Sequence, residues 1–371
     1  MCQRLDIDNP FYDGNASASA FGWQFQVDAA IFLFLCYIDD VDEIVVEGKY
    51  QDIELKCKNR KIYAQAKSIQ NGSLNNRSDK LEDAIISLAK TPADSSRGDE
   101  LLYISNYEAP IKRADIFKNK IVKLKNVADE KKEFKVQIKR IITKLENIIS
   151  NAPSPKVSAS KKDKYQKLLD RIKSIDIDNF MISSIYPYIN TESPFDKFIE
   201  IENKINEILT VKFNIQSTYL NKFVRDLLTE WHQTFLVNAT IPDNKKNKKM
   251  GKEELLWQIV AVLSDVNIDM DNLFENGIDP DLIDEYEMYY SQRSYYHERF
   301  SFFNKLMDDL KEYLKTNKDK NEFIKTHWQN YLAEYAEFSD CSELAKEYLI
   351  KKCIARLINN KNNIRKIVEG S

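Results

Sequence analysis

Glycine is scarce in this chain, with 8 in 371 residues. That disfavours a loop-rich all-β fold and favours helices. Histidine is scarcer: His232, His297 and His327 stand far apart, and no zinc-ligand spacing is present. The five cysteines, Cys2, Cys36, Cys57, Cys341 and Cys353, form no CxxC pair and no even framework. They read as reduced thiols of a cytoplasmic protein. Long apolar runs are missing. The longest, residues 29–38, is too short to span a bilayer, and the N-terminus reads as carrying no signal peptide, so no membrane association is expected. There is no GxxxxGK[ST] loop, so the chain is not expected to be an ATPase itself. Nothing resembles a Ser/His/Asp or Cys/His triad. An excess of positive charge is also lacking, since 55 Lys and Arg face 58 Asp and Glu for a net charge of −3. Any contact with nucleic acid must therefore come from local patches. A hydrophobic share of 43% with 30% charged residues marks a globular chain, long enough for two domains.

What is present is organised around residues 43–67, EIVVEGKYQDIELKCKNRKIYAQAK. Short runs rich in Val, Ile, Leu and Tyr are split by turn material at 48–51 and 58–61, the pattern of a β-meander. Side chains alternate across a strand. Asp52 and Glu54 therefore share one face of the second run. Tyr63, Gln65 and Lys67 share one face of the third, and Ile62, Ala64 and Ala66 take the other. Charges on such apolar strands need partners or a metal. Acidic and amide oxygens suit Mg²⁺, or Mn²⁺ in its place, and a lysine beside them can stabilise a phosphate or position water. The plain alternative is a small surface meander with solvated charges.

Glu47-Gly48, Asp52-Ile53 and Gln65-Ala66-Lys67-Ser68 together resemble the Mrr-like branch of the PD-(D/E)xK nucleases, in which Gln replaces the usual Glu. More narrowly, they resemble the double-stranded-DNA endonuclease domain of bacterial antiphage effectors of the CBASS and Lamassu type. Phe25-Gln26 fits the aromatic-Gln helix that precedes these strands there. The resemblance implies a restriction-endonuclease-like α/β fold, a mixed sheet flanked by helices. It implies catalytic roles for Asp52, Gln65 and Lys67, metal binding by Asp52 and Gln65, and help from Glu54 or Glu47. Which of those two completes the site stays open. It also implies double-stranded DNA as substrate.

Downstream, residues 79–90 read as a helix and 101–105 as a strand. Strand, helix, strand implies a parallel pairing. From residue 111 to 171 there are 18 Lys and Arg against 7 Asp and Glu, a net of +11. Phe134, Ile138, Ile141, Leu145 and Ile148 recur there at helical spacing, so a basic helical insertion is expected at about 112–175. Lys131, Lys132, Lys135 and Lys139 are its candidate DNA-phosphate contacts; a solvated hairpin is the alternative. Residues 180–186 read as a further strand, and the nuclease domain is closed at residue 212. Residues 213–371 read as an all-α interaction and oligomerisation domain. Residues 265–347 carry 20 Asp and Glu against 9 Lys and Arg, a net of −11, and the end of the chain is basic. Opposite charge blocks invite self-association or docking. A helical second half lacks the nucleotide sensor of CBASS effectors. That favours the Lamassu-type nuclease subunit, which implies an SMC-like ATPase and a small accessory subunit as partners and a homo-oligomer when active. Arg293 with His297, and Asp265 with Asn267 and Asp269, superficially suggest a ribonuclease pair and a calcium loop, but their spacing or ligands fail. A catalytically silent nuclease fold that grips DNA or scaffolds a complex is the rival reading.

Overall fold

The computed structural model describes residues 17–69, 75–93, 98–150, 159–185, 198–215, 220–241, 249–264, 273–274, 300–317, 319–338 and 341–370. Arg293, His297, Asp265, Asn267 and Asp269 lie outside them. The chain divides into two compact units, Met1–Leu33 with Val45–Glu200, and Phe34–Ile44 with Ile201–Ser371. It crosses between them inside helix α1 (Ser17–Cys36), inside strand β1 (Val41–Val46) and inside helix α5 (Ile199–Glu207).

The strands are β1, β2 (Ile53–Cys57), β3 (Lys61–Lys67), β4 (Glu100–Ser105), β5 (Val122–Lys123), β6 (Phe180–Ser184) and β7 (Met250–Gly251). They form one mixed sheet in the order β5-β6-β4-β3-β2-β1-β7. The expected meander is there: β2 pairs antiparallel with β3, Ile53 opposite Ala64 and Leu55 opposite Ile62. The expected parallel addition follows, with β4 on β3 and then β6 on β4. Helix α2 (Asn75–Leu88) makes the first crossover. Both β4 and β6 are buried at every residue. Strands covered on both faces read as unbroken apolar runs, which is why LLYIS and FMISS show no alternation.

Helices α2, α3 (Ala128–Ser150) and α4 (Ala159–Lys173) share a core with one face of the sheet. Leu81, Ile85, Phe134, Ile141 and Leu169 pack with Tyr63, Leu101, Tyr103 and Phe180. The Phe134 and Phe180 rings stand 4.5 Å apart. Helix α1 is buried at Phe25 and from Val27 to Leu35. Its Gly22 approaches the end of β3, where an added Cβ would lie 3.7 Å from Ser68 Oγ.

The basic insertion is helical from Ala128 to Ser150 and from Ala159 to Lys173, but residues 112–127 are not. They hold short 3₁₀ turns at Ala114–Phe117 and Leu124–Asn126 and the strand β5. Val122 pairs with Ile182 and Lys123 with Met181, partners far along the chain that a local pattern cannot reveal. Arg113 takes a left-handed φ of 52° before the first turn, and its guanidinium grips the buried Glu130 carboxylate at 2.6 and 2.9 Å. That bond holds the Glu130 carboxyl below its usual range.

Among its described residues the second unit is helical except where strands pair, a feature that corrects the all-α expectation. Strand β7 pairs antiparallel with β1, Gly251 opposite Glu43 and Met250 opposite Ile44. Two residues flanked by a lysine run carry no strand signal of their own; the exposed edge of β1 recruits them. Helices α6 (Leu220–Thr240) and α7 (Lys252–Ser264) pack on each other, and Gln258 Nε2 donates to Thr234 Oγ1 at 2.8 Å. Trp231 is fully buried, edge-on to Phe34 at 5.5 Å. Phe302, Phe303, Leu306, Met307 and Leu310 of α8 (Phe300–Tyr313) are buried within the unit. Ser342 caps α9 (Glu343–Asn359), its Oγ accepting from the Ala345 N–H at 3.2 Å. Among the described residues no helix is long and apolar enough to cross a membrane.

Candidate active site

The β1–β2 connection sets the site. Glu47 N–H donates to the Asp52 carbonyl at 2.7 Å, and Gly48 N–H donates to the Gln51 carbonyl at 2.9 Å. These bonds close a hairpin loop that delivers Asp52 at the mouth of β2. Glu47 adopts a left-handed φ of 52°, uncommon for a residue with a Cβ. Continuing the β2–β3 register from Ile53 opposite Ala64 puts Asp52 opposite Gln65.

Asp52, Gln65 and Lys67 are thus brought together. Gln65 Nε2 donates to Asp52 Oδ2, and the Ala66 N–H donates to the same oxygen at 3.0 Å. Gln65 is buried, while Asp52 and Lys67 keep part of their surface exposed. Burial pushes the Asp52 carboxyl up to about 6, and the nearby Glu47 charge adds to that rise. The Lys67 ammonium and the two hydrogen bonds act in the opposite sense and do not cancel it. Glu47 is therefore within electrostatic reach of Asp52.

Glu54 shares the face, and one oxygen of its carboxylate holds the loop. Its Oε1 accepts from the Tyr50 N–H at 2.6 Å and the Gln51 N–H at 3.3 Å. The carboxyl fills the space beside Gly48, where an added Cβ would fall 2.6 Å from it. Glu54 is the clasp of the loop. Strand alternation put it on the right face; the loop amides that claim it are invisible to alternation. Gln51, unremarked in the sequence, fixes the loop from the other side. Its Nε2 donates to the Ser87 carbonyl at 2.9 Å.

Among the described residues, no three His, Cys, Asp or Glu side chains gather as a metal-binding group. The oxygen-bearing side chains at the site are Asp52 and Gln65, which are hydrogen-bonded to each other, and Glu47, whose charge Asp52 feels. A raised Asp52 pKa means that the surrounding protein under-compensates its negative charge. The Gln65 amide can turn its oxygen toward Asp52 only with a cation between the two acceptors. An under-neutralised carboxylate beside an amide whose oxygen can turn toward it suits a hard divalent cation such as Mg²⁺.

The four candidate DNA lysines on α3 do not behave alike. Lys132, Lys135 and Lys139 are exposed. Lys132 Nζ lies 3.4 Å from Asp129, its neighbour on the same helix face. Lys131 is ion-paired with Asp178 and holds that carboxyl below its usual range. On the opposite flank Lys144 and Lys173 are paired with Glu82 and Glu146. No protein-family model, no curated protein and no solved structure matches the chain.

Proposed function

We propose that this protein is a Mg²⁺-dependent DNA endonuclease. The observation that carries the reading is the convergence of a desolvated Asp52, the Gln65 amide and Lys67 at one end of a β-hairpin in a mixed sheet. That is the set which the resemblance to the Mrr-like PD-(D/E)xK nucleases assigns to phosphodiester hydrolysis. Asp52 and Gln65 would hold the cation, with Glu47 rather than the loop-bound Glu54 completing the set. When bound, the cation supplies Lewis-acid polarisation of the phosphate and a more acidic water. Asp52 must be ionised to act, and its pKa makes that a requirement for pH above about 6. Lys67 places a positive charge where negative charge grows on the non-bridging phosphate oxygens. Lys132, Lys135 and Lys139 would track the duplex backbone. The resemblance extends the proposal to an effector subunit of an antiphage complex, controlled by an SMC-like ATPase and an accessory subunit and oligomeric when active.

Lys67→Ala tests the assignment. Loss of one transition-state contact costs about 10²–10³ in rate. Plasmid nicking with Mg²⁺ or Mn²⁺ should fall by that factor at an unchanged melting temperature. Cleavage retained in the folded variant ends the proposal. A wild-type protein that shifts plasmid but never nicks it, with either metal, supports the silent, DNA-gripping reading.

A further inference from the structure

Arg77 lies in the first turn of α2, over the sheet face that carries Asp52, Gln65 and Lys67. Its guanidinium carbon is 5.9 Å from the centre of the Tyr107 ring. The Tyr107 hydroxyl meets that of Tyr103 at 2.5 Å, and both phenols are buried. Tyr103 is the ladder partner of Gln65. Tyr107 follows, by two residues, Ser105, the ladder partner of Lys67. The guanidinium is thus tied, through Tyr107 and Tyr103, to the strand that lies beside β3. Its charge reaches both phenols and opposes the burial that raises their pKa values.

The bonding of Arg77 is incomplete. A guanidinium has five N–H donors in a rigid fork. Here Nη1 reaches Glu108 at 3.4 Å, long for a charge-assisted bond, and that carboxylate is 60% exposed. Nε is buried and, among the described residues, has no acceptor. Arg113 shows what a structural arginine looks like in this protein, with two short bonds to one buried carboxylate. A buried donor left unpaired is destabilising, and an anion arriving at the fork relieves it.

We infer that Arg77 is a second phosphate-binding cation of this site, taking a DNA phosphate beside the one that Lys67 addresses. The identity of the ligand rests on the nuclease reading; the phosphate contact itself is measurable without cleavage. The full-length protein is titrated onto duplex DNA in EDTA over a range of salt concentrations. Arg77→Met keeps an unbranched stem over Tyr107 and removes the charge. It should lower the log–log salt slope by about 0.9 and the affinity about tenfold. Arg77→Lys should restore the slope but only part of the affinity, because an ammonium cannot grip a phosphate with two parallel bonds. An unchanged slope in folded Arg77→Met overturns the inference, whatever Lys67→Ala does to cleavage. Retained cleavage in Lys67→Ala sinks the nuclease reading while the slope still reports on Arg77. If Arg77→Met melts well below wild type, Arg77→Lys decides, and wild-type affinity in that variant overturns the inference.

Discussion

At Asp52 two demands oppose each other. The carboxyl is enclosed by β2 and β3, which favours its neutral form, while its proposed task needs the anion. Its folded pKa is about 6 against an ordinary 3.8. The folded protein therefore binds more protons than the unfolded chain between those values. Asp52 contributes its full share of stability below about pH 4, and that share is lost as pH rises through about 6. Asp52→Asn, which carries no charge, should stabilise the protein at pH 8 by on the order of 2–3 kcal/mol. The gain should vanish near pH 4. Thermal melts of both proteins at the two pH values check this, and a gain that is larger at pH 4 contradicts the desolvation account. Mn²⁺ should narrow the difference at pH 8 by stabilising wild type alone, and its affinity should fall about tenfold per unit below pH 6.

At the scale of elements, the legible parts were those whose cause is local. Alternation over residues 52–67 revealed β2 and β3. The buried runs at 101–105 and 180–184 revealed β4 and β6, and apolar spacing revealed α3. Strand parity put Gln65 and Lys67 on one face of β3 and Asp52 and Glu54 on one face of β2; that the two faces are the same follows from the β2–β3 register, which parity does not give. What escaped depends on distant partners. β5 exists because β6 lies beside it, and β7 because β1 offers an edge. Arg77 carries no signal in the sequence, because Tyr103 and Tyr107 reach it only through the crossover. Ion pairing sorts the α3 lysines in the same non-local way. Reversing Lys132, Lys135 and Lys139 to Glu should lower the salt slope of DNA binding by up to about 2.7, from 0.9 per phosphate contact. Lys131→Glu should instead weaken the fold, because it sets a carboxylate against Asp178. A titration in which Lys131→Glu alone changes the slope would reverse this division.

At the scale of the whole molecule, the two units are not beads on a string. The chain crosses between them three times, each time inside a helix or a strand. Domains separated by linkers can be cut apart; these have no linker at the crossings. A protein ending at residue 212 would keep Phe34 and the start of β1 while losing Trp231 and β7. Removing a packed aromatic from a core costs about 3–5 kcal/mol, and here strand pairing is lost with it. The truncated protein should therefore be far more protease-sensitive around residues 34–52 than the full chain. A stable, protected fragment of that length would show that the first unit is self-sufficient.

That truncated chain is also what a ribosome presents midway through synthesis. The loop carrying Asp52 is tethered to β1, and the β7 partner of β1 is made 206 residues after Ile44, from 44 to 250. At about 5–20 residues per second the wait is roughly ten to forty seconds. Through that interval the strand leading into the site has an unpaired edge. The strand leading into the site would come into register only as the last third of the chain emerges; for the proposed nuclease, incomplete chains would then be poorly equipped to cut the DNA of the cell that makes them.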